Sequence, residues 1–201
     1  MSKVVLVAGR AHHVPCLEGY DYIGVDHGAI YCVEQNIPMI AAIGDFDSIT
    51  KAELADLYKR TKVKKLPSHK NETDSEEAIS YALSLSYDEI ILYGGLGGRL
   101  DHELANLHLL IHRDLPISLM DESNIVCVIK PGTYNIKKQH KYLSFLALEK
   151  SCLSEEGVAY PLCEQVFTPS DIYSISNEII EESAQITLHY GRMLMMQSSD
   201  S

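Results

Sequence analysis

The chain has 201 residues, of which 46% are hydrophobic and 22% are charged. This length suits one large domain or two small ones, and the composition is that of a globular protein rather than a disordered tail. The formal net charge of −11 argues against binding to a nucleic-acid backbone. A nucleotide that is carried by a divalent cation remains compatible with this charge.

Neither the cysteines nor the apolar runs point to secretion or to a membrane. The five cysteines are odd in number and form no Cys-x-x-Cys pair, which favours reduced thiols and argues against a zinc knuckle. The apolar run 4–8 is too short for a signal peptide and is expected to form a first strand. No apolar run has the length of a membrane span. We therefore expect a cytoplasmic protein with no nucleic-acid and no membrane partner.

Up to Asp121 the sequence alternates apolar runs with helical patterns. Strands are predicted at residues 4–8, 22–25, 40–43, 63–66, 90–93 and 117–120. Helices are predicted at residues 29–35 and 50–60, from Thr73 onward, and after Asp101 through Leu110. This alternation predicts an α/β domain with a mainly parallel sheet flanked by helices.

After Asp121 the pattern changes and helical periodicity becomes scarce. Strand-like runs at residues 126–129, 142–146 and 186–190 are separated by turn signals such as Pro131-Gly132. This pattern predicts a second, all-β domain, a small sandwich. The predicted domains are therefore residues 1–122 and 123–201.

Two carboxylates, Asp45 and Asp47, come directly after the predicted strand 40–43. Side chains two residues apart on an extended chain point the same way, so these groups repel each other unless a cation lies between them. Oxygen ligands of this kind suit Mg²⁺. The alternative is a solvated acidic turn in which Asp47 or Ser48 caps the next helix, and a lone Asp-x-Asp motif favours that alternative.

Other predicted strands of this domain also end in polar residues. Asp26 follows the second strand, a polar loop leading to Asp74 follows the fourth, and a glycine run ending at Arg99 follows the fifth. Because parallel strands deliver their carboxyl ends to one edge of a sheet, we expect these groups to meet there. Their joint occurrence favours a functional role over a turn or cap for Asp45, Asp47, Asp74 and Asp101.

The glycine run also indicates that phosphate is bound at this edge. Glycines let the backbone approach a ligand closely, and the run leads into a helix N-terminus, which favours anions. Lys70 and Arg99 are the cations available to hold phosphate oxygens. Thr73 and Glu76 are better explained as a helix capping box than as catalytic groups. The set predicts a magnesium–polyphosphate site, although its spacing matches neither Walker A nor the dinucleotide fingerprint.

Taken together, these residues resemble the thiamine pyrophosphokinase family. The matching segments of the first domain are Gly24-Val25-Asp26-His27-Gly28, Ile37-Pro38, Gly44-Asp45-Phe46-Asp47-Ser48, Lys70-Asn71-Glu72-Thr73-Asp74-Ser75-Glu76 and Gly97-Gly98-Arg99-Leu100-Asp101-His102-x-x-Ala105-Asn106. Weaker similarities in the second domain are residues 157–162, residues 174–178 and a closing hairpin around Gly191. His27 stands where the family usually has a small residue. The chain has no tryptophan, so any aromatic stacking on thiamine must come from a tyrosine or a phenylalanine.

The resemblance implies a magnesium-dependent thiamine diphosphokinase, which transfers pyrophosphate from ATP to the hydroxyl of thiamine and releases AMP. It implies that residues 1–122 bind ATP and magnesium, that residues 123–201 help to bind thiamine, and that the active sites of a homodimer are shared between subunits. It assigns Mg²⁺ to Asp45, Asp47 and Asp74, and catalytic roles to Asp101, Arg99 and Asp26. It assigns the nucleotide to Lys70, Thr73, Gly97 and Gly98, and thiamine to Ser176, Asn177 and Tyr160.

Within this reading, Asp101 is the candidate base, or at least the group that orients the hydroxyl. Two other classes of function are compatible with the residues alone. One is a magnesium-dependent phosphohydrolase or nucleotidyltransferase that uses another acceptor. The other is a nucleotide or metal sensor without catalytic activity.

Overall fold

The computed structural model describes residues 2–200 of the chain. It divides into two compact units, the first ending at Glu122 and the second beginning at Ser123. In the part of the chain that is described, no helix combines the length and the apolar composition needed to cross a membrane.

The first unit is built on a parallel sheet whose strands alternate with helices along the chain. The strands are β1 (Lys3–Val7), β2 (Asp21–Val25), β3 (Ala41–Gly44), β4 (Lys62–Lys65), β5 (Glu89–Tyr93) and β6 (Ile117–Met120). The helices are α1 (Gly28–Glu34), α2 (Lys51–Arg60), α3 (Asp74–Ser84) and α4 (Leu100–His112). In space the strands follow the order β4-β3-β2-β1-β5-β6, and each neighbouring pair is parallel.

Burial explains why the apolar runs become the central strands. Val4, Val5 and Leu6 of β1 are fully buried, as are Ile90 and Leu92 of β5, because a central parallel strand is covered on both faces. The strand β4 reads Lys-Val-Lys-Lys and lies at the edge of this sheet, where lysines remain solvated.

Two helices of this unit, α2 and α3, begin at threonine caps close to the predicted site residues. Thr50 caps α2, and its side chain and that of Glu53 form a reciprocal capping box. Thr50 therefore takes the capping role that the alternative reading gave to Asp47 or Ser48. Thr73 caps α3 by accepting a hydrogen bond from the Glu76 backbone N–H at 3.2 Å, which makes Asp74 the first residue of that helix.

The second unit is an antiparallel β-sandwich. Its strands are β7 (Asn124–Ile129), β8 (Gly132–Lys137), β9 (Tyr142–Ala147), β10 (Ser151–Glu156), β11 (Leu162–Phe167), β12 (Ser183–Tyr190) and β13 (Met193–Ser198). One layer has the order β7-β13-β9 and the other has β11-β10-β12-β8. Phe145 and Met193 of the first layer share a buried core with Phe167 and Ile186 of the second. The predicted fold class, a parallel α/β sheet followed by a β-sandwich, is confirmed.

The expected hairpin around Gly191 is wrong. The strand β12 pairs with β10 and β8, whereas β13 pairs with β7 and β9. At Gly191 the chain therefore passes from one layer of the sandwich to the other. The prediction failed because a turn signal is local and does not say which strands the flanking segments will pair with.

Candidate active site

A cavity of about 490 Å³ opens at the carboxyl-terminal edge of the parallel sheet. Its walls come from the residues that follow β1, β2, β3 and β5 and from the first turns of α3 and α4. Asp26, Asp47, Asp74, Gly97 and Arg99 are among the residues that line it. The topology thus brings together the strand ends that the sequence analysis had selected.

Three carboxylates converge beside this cavity. One oxygen from each of Asp26, Asp45 and Asp74 lies within 4.8 Å of the other two, and all three residues are partly buried. Asp26 follows β2, Asp45 follows β3, and Asp74 opens α3. Residues separated by up to 48 positions in sequence therefore form one acidic cluster, which we call the carboxylate cluster.

The turn after β3 lets the first two members of the carboxylate cluster approach each other. A Cβ on Gly44 would lie 1.9 Å from Oδ1 of Asp26, so only glycine leaves room for that carboxylate. The Phe46 backbone N–H donates to the same oxygen at 3.2 Å, and Phe46 has a positive φ of 57°. The local backbone thus places the Asp26 side chain against the segment that carries Asp45.

The carboxylate cluster carries more negative charge than the chain offsets. Burial, together with the charge of Asp74, raises the pKa of Asp26 from 3.8 to about 7. Nζ of Lys70 pairs with Oδ1 of Asp74 at 2.7 Å. Burial disfavours the charged form of Lys70, but the hydrogen bond and charge of Asp74 leave its pKa raised above the ordinary value. One lysine beside these carboxylates leaves an excess of negative charge.

The chemistry of the donor atoms fits a divalent cation. Carboxylate oxygens are hard ligands, and Mg²⁺ is typically held by one or two carboxylates together with substrate phosphates. Besides burial, the negative charges of Asp74 and Asp45 contribute to the raised pKa of Asp26. A bound cation would offset this repulsion between the carboxylates. Asp26, Asp45 and Asp74 could therefore hold Mg²⁺.

Asp47 lies near the carboxylate cluster but is not one of its three members. Its side chain is exposed on the cavity wall, and its backbone N–H donates to Oδ1 of Asp45 at 3.0 Å. The strand β3 ends at Gly44, so the segment from Asp45 to Asp47 is a turn rather than the extended chain assumed from the sequence. Asp26 instead accompanies Asp45 and Asp74.

Arg99 and Asp101 form an exposed ion pair at the start of α4. Nη2 of Arg99 lies 2.6 Å from Oδ2 of Asp101, and Nε donates to Oδ1 at 3.1 Å. The Arg99 hydrogen bond lowers the pKa of Asp101 to about 2. The N-cap residue of α4 is Arg99, so Asp101 lies inside the helix. A carboxylate with so low a pKa stays ionised near neutral pH and is a weak proton acceptor.

The glycine run that precedes α4 forms another wall of the cavity. Gly97 lines the cavity, and both Gly97 and Gly98 have positive φ values, 75° and 81°. The run is fixed by Asn106, a buried residue of α4 whose Nδ2 donates to the carbonyl oxygen of Gly95 at 2.7 Å. Asn106 belongs to the motif that carries the family resemblance, but no role was predicted for it from the sequence.

Arg10 was also missed. It follows β1 and lines the cavity. The rule that selected the other residues, a polar side chain just after a predicted strand, applies to Arg10 as well.

In the second unit, Asn177 is held by hydrogen bonds within the protein. Its Nδ2 donates to Oε2 of Glu155 and to the carbonyl oxygen of Tyr160, each at 3.0 Å. Its Oδ1 accepts from the backbone N–H groups of Tyr160 and Glu178, also at 3.0 Å. Ser176 is exposed beside it with a φ of 62°, and the residue Tyr160 is 74% exposed. The side chains of Ser176 and Tyr160 are thus accessible to a ligand, whereas the hydrogen bonds of Asn177 hold the two segments together.

Replacing Asn177 by alanine is expected to destabilise the second unit by about 2 to 3 kcal/mol. The change removes the amide that donates a hydrogen bond to the fully buried Glu155. It also leaves the backbone N–H groups of Tyr160 and Glu178 without their acceptor. Denaturant unfolding, followed by circular dichroism, measures the effect. The matched control is Ser176→Ala, which alters an exposed side chain in the same loop. Equal stability of the two variants would show that the Asn177 hydrogen bonds contribute little.

Comparison with known proteins identifies both parts of the chain. The family model for the thiamin pyrophosphokinase catalytic domain matches residues 20–119. The model for the thiamin pyrophosphokinase vitamin B1 binding domain matches residues 133–193. The first match contains the carboxylate cluster, and the second contains Tyr160, Ser176 and Asn177.

Full-length relatives agree with these matches. The chain is 32% identical to the thiamine pyrophosphokinase of Bacillus subtilis strain 168, with all of both chains covered. Solved structures of the Bacillus subtilis enzyme and of a family protein from Enterococcus faecalis superpose with TM-scores of 0.88 and 0.87, each at 31% identity over the whole of both chains. The chain therefore belongs to the thiamine pyrophosphokinase family.

Proposed function

We propose that this protein transfers the pyrophosphoryl group of ATP to the hydroxyl of thiamine, giving thiamine diphosphate and AMP. The observation that carries the proposal is the convergence of Asp26, Asp45 and Asp74 at a cavity walled by a glycine run. This is the combination that a triphosphate and its cation require. Membership of the family supplies thiamine as the acceptor.

We propose that Asp26, Asp45 and Asp74 hold Mg²⁺, with Asp47 on the cavity wall as a further carboxylate available to it. When bound, the ion would supply positive charge to the phosphate oxygens and offset the negative charge that accumulates during transfer. Lys70 would keep Asp74 oriented through its 2.7 Å ion pair. The partial burial of the carboxylates would limit competition by water.

The other residues of the cavity would position the reacting groups. In the transfer, a bond forms between the thiamine hydroxyl oxygen and the β-phosphorus, the bond from that phosphorus to the oxygen retained by AMP breaks, and the hydroxyl proton is released to solvent. The backbone at Gly97 and Gly98, with Thr73 and Arg99, would hold the nucleotide in line for this exchange. The low pKa of Asp101 suits orientation of the hydroxyl better than removal of its proton.

The second unit would supply the thiamine contacts. Ser176 and the Tyr160 ring are exposed and could contact the ligand, while Asn177 would hold their two segments in place. We further propose a homodimer in which both subunits contribute residues to each site. Mixing Asp45→Asn with Tyr160→Ala would test this, because a shared site regains activity in mixed dimers and an unshared one does not.

We also propose that the protein works in the cytoplasm. Within residues 2–200 each cysteine is a free thiol, and burial raises the pKa of Cys32 to about 12. Such thiols suit a reducing compartment. Fractionation of cells that express a tagged chain would test the location.

A product assay with ATP, thiamine and Mg²⁺ tests the main proposal. Formation of AMP and thiamine diphosphate in equal amounts is expected. ADP or free phosphate as the product would favour a phosphohydrolase or another transferase. Binding of ATP without turnover would favour a sensor.

A further inference from the structure

Arg10 is a cation in the cavity that the family motifs of this chain do not include. It lies two residues beyond Ala8, just after β1, and its side chain is exposed on the cavity wall. Among residues 2–200, no carboxylate and no other polar group pairs with its guanidinium. Because its guanidinium has no partner within the protein, Arg10 is available to bind an anionic ligand.

The two other cations of the predicted phosphate site, Lys70 beside the cavity and Arg99 on its wall, are already paired within the protein. Lys70 is bound to Asp74 at 2.7 Å, and Arg99 is bound to Asp101 at 2.6 Å. Each would have to share or exchange a carboxylate before it could bind a phosphate group. Arg10 can bind one without breaking an ion pair.

The position of Arg10 in the sheet also favours this role. From β1 the chain builds β2, β3 and β4 on one side, and then places β5 on the other side of β1. The loops after β1 and β5 therefore flank the point where the strand order reverses. Ligands of open α/β sheets bind in the crevice at this point.

The guanidinium of Arg10 lies directly against the glycine run. A Cβ added to Gly98 would lie 2.7 Å from Cζ and Nε of Arg10. The absence of a side chain at Gly98, where φ is 81°, thus lets the arginine sit on the backbone of the loop that leads into α4. Its fork of N–H donors can act on the same phosphate as the N-terminal backbone of that helix.

We propose that Arg10 binds phosphate oxygens of the nucleotide triphosphate and positions it for transfer. This inference rests on the proposed function and adds a residue to it. Arginine presents donors in a planar fork that matches phosphate bidentately, and its charge does not depend on pH in the working range. Arg10 would contact the nucleotide and not the acceptor.

The test is direct binding of ATP and of inorganic tripolyphosphate to Arg10→Gln in the presence of Mg²⁺. We expect both affinities to fall about tenfold, because one charge-assisted contact is lost, while the affinity for adenosine stays unchanged. In turnover assays the KM for ATP should rise by a similar factor and the KM for thiamine should not. Arg10→Lys, which keeps the charge but not the fork, should recover part of the loss.

The matched control is Arg60→Gln, which removes an exposed arginine that pairs with Asp56 on α2, away from the lining of the cavity. It should leave every affinity unchanged. Unaltered tripolyphosphate binding by Arg10→Gln would overturn the inference, as would an equal loss for adenosine. The binding assay does not depend on turnover. If the protein makes no AMP, the proposed reaction is refuted, but the binding measurements still show whether Arg10 binds phosphate.

Discussion

Replacing Asp45 by asparagine is expected to lower turnover by about a thousandfold or more and to leave the fold intact. Asparagine has nearly the same shape, and its Oδ1 can still accept the 3.0 Å hydrogen bond from the Asp47 backbone N–H. What is lost is one negative charge from the carboxylate cluster. A thousandfold loss corresponds to about 4 kcal/mol of transition-state stabilisation, in the range that metal-ion catalysis supplies.

Initial rates of AMP formation over a range of Mg²⁺ concentrations measure this effect, and circular dichroism checks the fold. The variant should also require a higher Mg²⁺ concentration for half-maximal activity. Asp56→Asn is the control, because Asp56 pairs with Arg60 on the exposed face of α2 and should not affect turnover. Near-normal turnover in Asp45→Asn would remove that residue from the proposed metal site.

The α/β unit could be predicted from the sequence because its strands are apolar on both faces. Val5 and Leu6 in β1 and Ile90 in β5 are fully buried, so the strands stand out as continuous runs. The intervening helices carry their own start signals, as Thr73 shows. In these strands and helix starts, the structure favoured by the local sequence is also the one favoured by burial in the fold. The α/β unit could therefore be predicted from local patterns.

The sandwich was harder to predict because several of its strands lack a clear alternation. No strand was predicted at β8, β10 or β11. In β10, Glu155 is fully buried and bonded to Ser174 and Asn177, so a charged residue occupies a position where the pattern requires an apolar one. Burial raises the pKa of Glu155, although the two hydrogen bonds oppose that change. A partner distant in sequence makes this arrangement possible.

At the candidate site, the sequence indicated the edge of the sheet but not the contacts there. The strand-end rule selected Asp26, Asp45 and Asp74, and the structure brings them together. The third member of the carboxylate cluster is Asp26 and not Asp47, because of the turn at Gly44 and Phe46. A local pattern of acids does not specify that backbone geometry. The proximity of Arg10 to the glycine run depends likewise on β5 pairing with β1.

Replacing Asp26 by asparagine is expected to stabilise the metal-free protein while lowering turnover by about a thousandfold. Burial and the charge of Asp74 raise the pKa of Asp26 from 3.8 to about 7. A carboxyl whose pKa is higher in the folded chain binds more protons there, so stability falls as pH rises from about 4 to about 7. Asparagine cannot ionise, which removes this loss and keeps an oxygen for the Phe46 N–H.

With allowance for the part of Asp26 that remains solvated, the gain at pH 8 should be about 2 kcal/mol, or roughly 4 to 8 °C in the midpoint of thermal unfolding. It should shrink toward zero near pH 4. Added Mg²⁺ should stabilise the native chain more than the variant and reduce the difference, because the cation offsets the same repulsion. Thermal unfolding of both chains at pH 4 and pH 8, with and without Mg²⁺, measures the stability effects, and the initial rate of AMP formation measures the loss of turnover. A variant less stable than the native chain at pH 8 without Mg²⁺ would show that repulsion does not dominate the carboxylate cluster.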